Sequence, residues 1–279
     1  MKLDLLIASD ANYLPHAVTA LTSVCEHNRH HGIVIHYLHP GLADAEAARV
    51  RSHFERYGAE VRFVEVDTAR LGRYRTVFHF TTATYFRILC GDLLPRDVER
   101  VLYLDCDVVV RADVADICSA DLGGGIVGAV RDAHLGDAPW KQKLNALTGA
   151  NMQDYFNTGV LVIDVARYRD AGIGPAVLAL LDRCHGDFFF ADQDAFNVVL
   201  ADRWHALPAR WNVQSYWYAI DICIRSASYP PDWRLEYVNA IKNPAIVHYT
   251  TPSKPWQFMN AHPMKAEYWK YRRLTPYAE

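Results

Sequence analysis

Apolar runs alternate with amphipathic ones at regular spacing through the first half of the chain. Leu3 to Ala8 reads as a strand, and its polar exit, Ser9-Asp10-Ala11-Asn12-Tyr13, leads into a helical pattern from Leu14 to His27 with Pro15 tolerated in the first turn. Ile33 to Leu38 is a second strand, and a helix from about Asp44 to Tyr57 closes at Gly58. Val61 to Val66 follows as a third strand. Beyond a loop around Gly72-Arg73-Tyr74-Arg75, a helix is expected from about Thr82 to Leu93, and then one long buried strand from Val101 to Val110. The order β-α-β-α-β-α-β at this spacing predicts an α/β fold with a doubly wound, mostly parallel sheet.

The second half is more loop-rich. Gly123-Gly124-Gly125 precedes a strand from Ile126 to Val130, and a helix is expected near Trp140 to Leu147. Tyr155-Phe156-Asn157-Thr158-Gly159 leads into an apolar strand, Val160 to Ile163. A helix around Pro175 to Cys184 precedes Asp192-Gln193-Asp194 and an apolar helix from Ala195 to Leu200. Prolines make Thr250 to Trp256 a loop. With no internal repeat, residues 1–256 read as one domain and 257–279 as a short basic, aromatic tail. In that tail Lys265, Lys270, Arg272 and Arg273 interleave with Tyr268, Trp269 and Tyr271. Such a helix can rest on an anionic membrane surface, or it can dock its aromatics on the domain.

Composition narrows the function classes. A net charge of −3 gives no footprint for nucleic acid. No apolar run approaches the ~20 residues that span a bilayer, so a cytoplasmic protein is expected. Cys25, Cys90, Cys106, Cys118, Cys184 and Cys223 are scattered without zinc spacing and read as buried free thiols.

Ligands bind such sheets beyond the carboxyl ends of their strands, where Asp10, Asn12, Tyr13, Asp105 and Asp107 fall together. Two apart in a strand, Asp105 and Asp107 would share a face while Cys106 points the other way. Like charges in a dry setting call for a positive partner, and a divalent cation with oxygen ligands is one candidate. The same triplet also occurs as a solvated strand end feeding a turn. The first strand lacks Gly-x-Gly-x-x-Gly, so a dinucleotide on a glycine turn is not supported.

Ala8-Ser9-Asp10-Ala11-Asn12-Tyr13, Thr84-Tyr85-Phe86-Arg87, Leu102-Tyr103-Leu104-Asp105-Cys106-Asp107, Phe156-Asn157-Thr158-Gly159-Val160, Asp192-Gln193-Asp194 and His248-Tyr249 through Lys254-Pro255-Trp256 stand in the order found in glycosyltransferase family 8. The chain resembles these retaining GT-A enzymes nearly end to end. The likeness to the lipooligosaccharide α-galactosyltransferases extends to Lys141-Gln142-Lys143, and glycogenin is a more distant member.

The resemblance implies a GT-A, Rossmann-like sheet, with a smaller acceptor half and a metal-dependent retaining transfer of galactose or glucose from a UDP-sugar. It implies Mn2+ or Mg2+ held by Asp105, Asp107 and His248, with Lys254 facing the departing β-phosphate. Asp10 and Asn12 would meet the uracil, Tyr13 would stack on it, and Ala8, Cys106 and Thr251 would complete the donor site. Arg87, Asp132, Asn157, Asp192 and Gln193 would contact the donor sugar. Arg87 could equally form a salt bridge with Asp192 or Asp132, and Asp192 could be an ordinary helix N-cap. Gln193 is the family's candidate beneath the sugar ring, Asp194 is the nearest carboxylate by sequence, and a same-face substitution asks less of the protein than a double displacement. Thr251 stands where the family commonly has glycine. The acceptor implied is a saccharide, lipid-linked as in lipopolysaccharide, with Trp211, Tyr216, Trp217 and Tyr218 as an acceptor platform or as packing. Two other readings are a non-catalytic sugar-binding protein and a sugar nucleotidyltransferase on a similar sheet. The latter would carry a basic, glycine-rich first loop absent here.

Overall fold

The computed structural model describes residues 1–69, 71–74, 81–132, 139–149, 154–184, 187–219 and 231–278. Arg75 of the loop expected around Gly72-Arg73-Tyr74-Arg75, and Cys223, lie outside them. The other five cysteines are free and buried.

The first half follows its hydrophobic pattern closely. Strand β1 (Lys2–Ala8) leads into helix α1 (Leu14–His27), β2 (Gly32–His39), α2 (Asp44–Glu55) and β3 (Glu60–Glu65). Alternate side chains of β1 enter different layers. Leu3, Leu5 and Ile7 pack with α1, whereas Leu6 and Ala8 pack with Phe86 and Tyr103 on the other face. Both layers are dry from Leu5 onward, which is why the strand is apolar there, whereas exposed Lys2 and partly buried Asp4 stand at its start.

The structure departs from the hydrophobic pattern at two places. The segment Thr82–Leu89 is a 3-10 helix, and only Cys90–Leu93 is α-helical, as α3. The long strand is two strands: β4 (Arg100–Leu104) ends before Asp105, a turn carries Cys106 and Asp107, and β5 (Val108–Val110) joins a different sheet. A ladder sealed on both faces could not hold two carboxylates, and changing sheets between them lets both reach an open edge.

The chain continues through α4 (Ala115–Cys118), β6 (Val127–Arg131), α5 (Pro139–Thr148), β7 (Phe156–Asp164), α6 (Val165–Asp170), α7 (Ile173–Cys184) and α8 (Asp192–Val199). It ends with β8 (Trp204–Ala206), β9 (Val213–Gln214), α9 (Ser215–Ala219), α10 (Pro231–Lys242), β10 (Ile246–His248) and α11 (Lys265–Arg272). The Phe156-Asn157-Thr158-Gly159 motif is thus strand, not the approach to one, and the last apolar helix starts at Asp192 rather than Ala195.

Among the described residues the larger sheet has seven strands in the order β3-β2-β1-β4-β7-β6-β8, and of these β7 alone runs against the rest. A three-stranded sheet, β5-β10-β9, sits beside it and pairs His248 with Val108. The tail helix α11 buries Tyr268 and Tyr271, whose hydroxyls meet His16 Nδ1 at 2.6 Å and His27 Nε2 at 2.7 Å on α1. Its aromatic side is therefore spent on the domain, as the docking reading expected. Among the described residues no helix is long and apolar enough to cross a membrane.

Candidate functional site

Backbone hydrogen bonds fix the two aspartates from different sheets. The Asp105 N–H donates to the Gly159 carbonyl of β7 at 2.8 Å, and the Asp107 carbonyl accepts from the Tyr249 N–H beyond β10 at 2.9 Å. His248 ends β10, so its ring faces the turn. Its Nε2 lies 3.2 Å from Asp107 Oδ1 and 3.8 Å from Asp105 Oδ2. One ligand atom from each residue falls within 4.8 Å of the other two.

A chain of amides sets the imidazole's proton. The Gly159 N–H donates to Asn157 Oδ1, and Asn212 Nδ2 donates to the same oxygen. Asn212 Oδ1 is thereby turned toward His248 Nδ1, 2.9 Å away, which must carry the hydrogen. In the neutral ring the Nε2 lone pair then converges with two carboxylate oxygens. Three electron-rich atoms aimed at one point, one nitrogen and two oxygens, fit a divalent cation of the Mn2+ or Mg2+ kind, and the Asn212 contact is the outer support that histidine ligands ordinarily have. Gly159 supplies the room. A Cβ there would lie 2.1 Å from His248 Cε1 and 2.7 Å from Asp105 Oδ2.

Two buried cations frame the acids. Lys254 Nζ donates to Asp107 Oδ2 and to the Tyr249 carbonyl, each at 2.6 Å. Burial works to raise the Asp107 pKa, but the Lys254 ammonium and, when its ring is protonated, His248 outweigh it and hold the carboxyl well below the usual range; a cation at the site takes the place of the His248 proton. Arg87 is the second. Its Nε and Nη2 bind both oxygens of Asp192 at 2.6 and 3.0 Å, and its Nη1 donates to Asp105 Oδ1 at 2.9 Å and to the Thr158 carbonyl at 3.1 Å. The Tyr103 hydroxyl donates to Asp105 Oδ1 as well, at 2.6 Å. Of the two salt bridges the sequence allowed, the one to Asp192 forms. Asp192 is not an N-cap: it is the first residue of α8, and Ala191 before it caps no N–H with a side chain.

Gln193 belongs to the same lattice. Its Nε2 donates to Asp132 Oδ2 at 3.2 Å, while its Oε1 accepts from the Thr158 N–H and hydroxyl and from Asn157 Nδ2. Asn157 Nδ2 also donates to Asp132 Oδ2 at 3.0 Å. Asp194, offered by the sequence as a carboxylate beneath the sugar, is committed elsewhere. Its oxygens accept from the Tyr155 hydroxyl and the Phe189 and Phe190 N–H groups, and burial pushes its pKa up to about 6.

At the other end of the cleft, Asp10 Oδ1 accepts from the Asn12 and Tyr13 N–H groups at 3.0 Å, shaping the turn that presents a half-buried Tyr13 and an exposed Asn12. Ala8, Tyr13, Arg87, Asp105, Cys106 and Asp107 line one continuous cleft. Cys106 donates its thiol to the Ala8 carbonyl. Among the described residues Ala191 is the only non-glycine with positive φ, so Thr251 sits in a backbone conformation that does not require glycine. Its hydroxyl donates to the Ser253 carbonyl. Trp211 and Trp217 are buried, and Trp217 packs on Tyr237 rather than forming a platform.

Sequence reasoning missed Asn212, Tyr103 and the steric role of Gly159. The only local signal for Asn212 is an amide set between Trp211 and the apolar start of a strand.

Residues 4–260 match the family model described as glycosyl transferase family 8. General stress protein A of Bacillus subtilis is 29% identical over 96% of this chain and 92% of its own length. The lipopolysaccharide 1,2-glucosyltransferase of Escherichia coli is 26% identical over 94% of this chain and 74% of its own. Among solved structures, the galactosyltransferase LgtC, in complex with donor and acceptor sugar analogues, superposes with a TM-score of 0.87 at 25% identity, covering 98% of this chain and 96% of its own. With that match spanning both sheets and the cleft, the chain belongs to glycosyl transferase family 8 and is a glycosyltransferase of the GT-A fold.

Proposed function

We propose that the protein transfers a hexose, galactose or glucose, from a UDP-sugar to a hydroxyl of a lipopolysaccharide-type saccharide, with retention at the anomeric carbon. The observation that carries this reading is the convergence of Asp105, Asp107 and the lone pair of His248 at the edge of the cleft that Tyr13 enters. Relatives that act on lipopolysaccharide point to the acceptor class.

In this reading Asp105, Asp107 and His248 hold Mn2+ or Mg2+, which when bound offsets the charge of the departing diphosphate. Tyr13 stacks on the uracil, flanked by Ala8, Asp10, Asn12 and Cys106. Lys254, tied to Asp107 without a donor, exchanges that contact for a phosphate oxygen. Thr251 borders the same loop. Arg87 holds Asp105 and Asp192 at fixed separation, and Asp132, Asn157, Asp192 and Gln193 form the wall that meets the sugar hydroxyls.

Of the two retaining routes, the hydrogen bonds already made by Asp192, Gln193 and Asp194 favour same-face substitution over double displacement. Asp192 is locked to Arg87, Asp194 to Tyr155 and two backbone amides, and the Gln193 carbonyl already accepts three hydrogen bonds. A same-face substitution, in which the leaving phosphate helps to take the acceptor's proton, needs no protein nucleophile. Residues 257–279 act with the catalytic domain. Any contact with an anionic membrane on the cytoplasmic side falls to exposed Phe258 and Met259, because Tyr268 and Tyr271 face inward.

The test is UDP release from UDP-galactose and UDP-glucose, with and without Mn2+, for the natural chain and Asp107→Asn. Metal-dependent release lost in the variant supports the reading. Tight UDP binding with no release under any metal or acceptor would favour a sugar-binding protein instead.

A further inference from the structure

A second group of ligand-type side chains lies at the opposite end of the large sheet. His30 and His31 occupy the turn between α1 and β2, beside the Lys2–Gly32 pairing, whereas the cleft opens beyond Ala8 at the far end of the same strands. His30 Nε2 lies 2.9 Å from Asp113 Oδ2, and His31 Nε2 lies 3.1 Å from Asp113 Oδ1. Although consecutive in sequence, the two rings stand 4.0 Å apart and tilted by 46°, so both bring the same nitrogen to one carboxylate.

We propose that His30, His31 and Asp113 form a second, non-catalytic binding site for a divalent transition-metal cation of the Zn2+ class.

The ligand chemistry is the first argument. Two imidazoles and one carboxylate suit Zn2+, Co2+, Ni2+ or Cu2+, and are a poor set for Mg2+ or Ca2+, which prefer all-oxygen shells. One ligand atom from each residue lies within 4.8 Å of the other two. A tetrahedral shell with bonds of about 2.0–2.2 Å spaces its ligand atoms about 3.3–3.6 Å apart, so the two histidine gaps to Asp113 Oδ2, 2.9 and 3.2 Å, need to open by less than about 1 Å.

Preorganisation is the second. Asn28, wholly buried at the end of α1, donates to the Val24 carbonyl and accepts from the Val114 N–H at 3.0 Å. One side chain thus clamps the histidine turn to the loop that carries Asp113. Asp113 is held further by accepting from the Ala115 N–H at 2.8 Å. Three sides of the site are set before any ion arrives, and water would complete the shell on the exposed side of His30. His31 Nδ1 lies 3.3 Å from the Met1 amino nitrogen. When Nε2 binds a cation the ring carries its proton on Nδ1, and the exposed amino group turns aside.

A cation here would pin the turn after α1 to the loop after β5, stabilising the folded chain without touching the cleft. The experiment is a Zn2+ titration by calorimetry, with the thermal midpoint followed in parallel. It compares the natural chain, the double variant His30→Asn/His31→Asn, Asp113→Asn, which keeps a side-chain acceptor for the Ala115 N–H, and His248→Asn. The proposal expects His30→Asn/His31→Asn and Asp113→Asn each to bind one equivalent of Zn2+ fewer than the natural chain and to lose its Zn2+-induced rise in midpoint. His248→Asn should keep that equivalent whether or not the cleft binds metal. An unchanged stoichiometry and midpoint shift in the double variant would overturn it.

Discussion

Arg87 grips Asp192 with two parallel hydrogen bonds while its remaining terminal nitrogen donates to Asp105, so one guanidinium joins the sugar-facing wall to the aspartate pair. Arg87 and Asp192 are both buried, and neither can be removed without stranding the other's charge. Arg87→Met is expected to lower unfolding stability by about 3–5 kcal/mol, measured by urea titration. Arg87→Met/Asp192→Leu should recover much of that loss and none of the turnover. Equal destabilisation in the single and double variants would show that the pair is not coupled.

Asn212 touches the cation site only through His248 Nδ1. Asn212→Ala frees the ring to rotate and to change tautomer. Metal affinity should fall about 10–100-fold, with much of the maximal rate restored at saturating Mn2+. A lowered rate that no metal concentration restores would assign Asn212 a different role.

Gly159 is constrained by contact rather than by backbone torsion. Because a methyl group would collide with both His248 and Asp105, Gly159→Ala should displace a ligand and abolish metal-stimulated UDP release. The cost to folding should be smaller than for Arg87→Met, since no charge is stranded. Circular dichroism and metal titration together separate the two effects.

His16 offers a pH test. It stacks on Trp256 at 3.6 Å, bonds Tyr268, and has its pKa lowered to about 3 by burial and by Arg272. An imidazole with a folded pKa below its ordinary 6.5 takes up a proton more readily when unfolded. The stability this lends is complete above pH 6.5 and is lost as the pH falls toward 3, by about 1.4 kcal/mol for each unit of separation between the two pKa values. His53 and His262, each lowered to about 4, act in the same direction. Acid destabilisation should therefore begin near pH 6, above the carboxylate range. His16→Gln should flatten the slope of urea midpoint against pH, and an unchanged slope would exclude His16 as a contributor.

The parallel half of the fold and the chemistry-bearing motifs were legible because each lies within a few residues and follows the strand or helix period. Leu5 to Ala8 is apolar throughout, as a strand sealed on both faces is, and Asp105 and Asp107 called for a positive partner, whereas His248 and Lys254 entered only through the resemblance to the family. The break after Leu104 was not legible. Val101 to Val110 is apolar on both sides of the acids, and nothing local records that Val108 pairs with His248 rather than extending β4. The same holds for Asn212, an amide whose purpose appears only when three distant segments meet. The partners of Asp194 were hidden for the opposite reason: it stands beside Gln193 in sequence, yet it accepts from the Tyr155 hydroxyl.

The change of sheet at Cys106 also ties assembly of the proposed ligand set to the order in which the chain folds. Asp105 can take its place once β4 and β7 have paired, but Asp107 and His248 need β5 and β10, separated by well over a hundred residues, to find each other. A chain arrested before that late pairing would own all three ligands and still have no cage. Any cation that needs all three would then select the finished fold over its precursors, and its retention during refolding would mark the moment the second sheet closes.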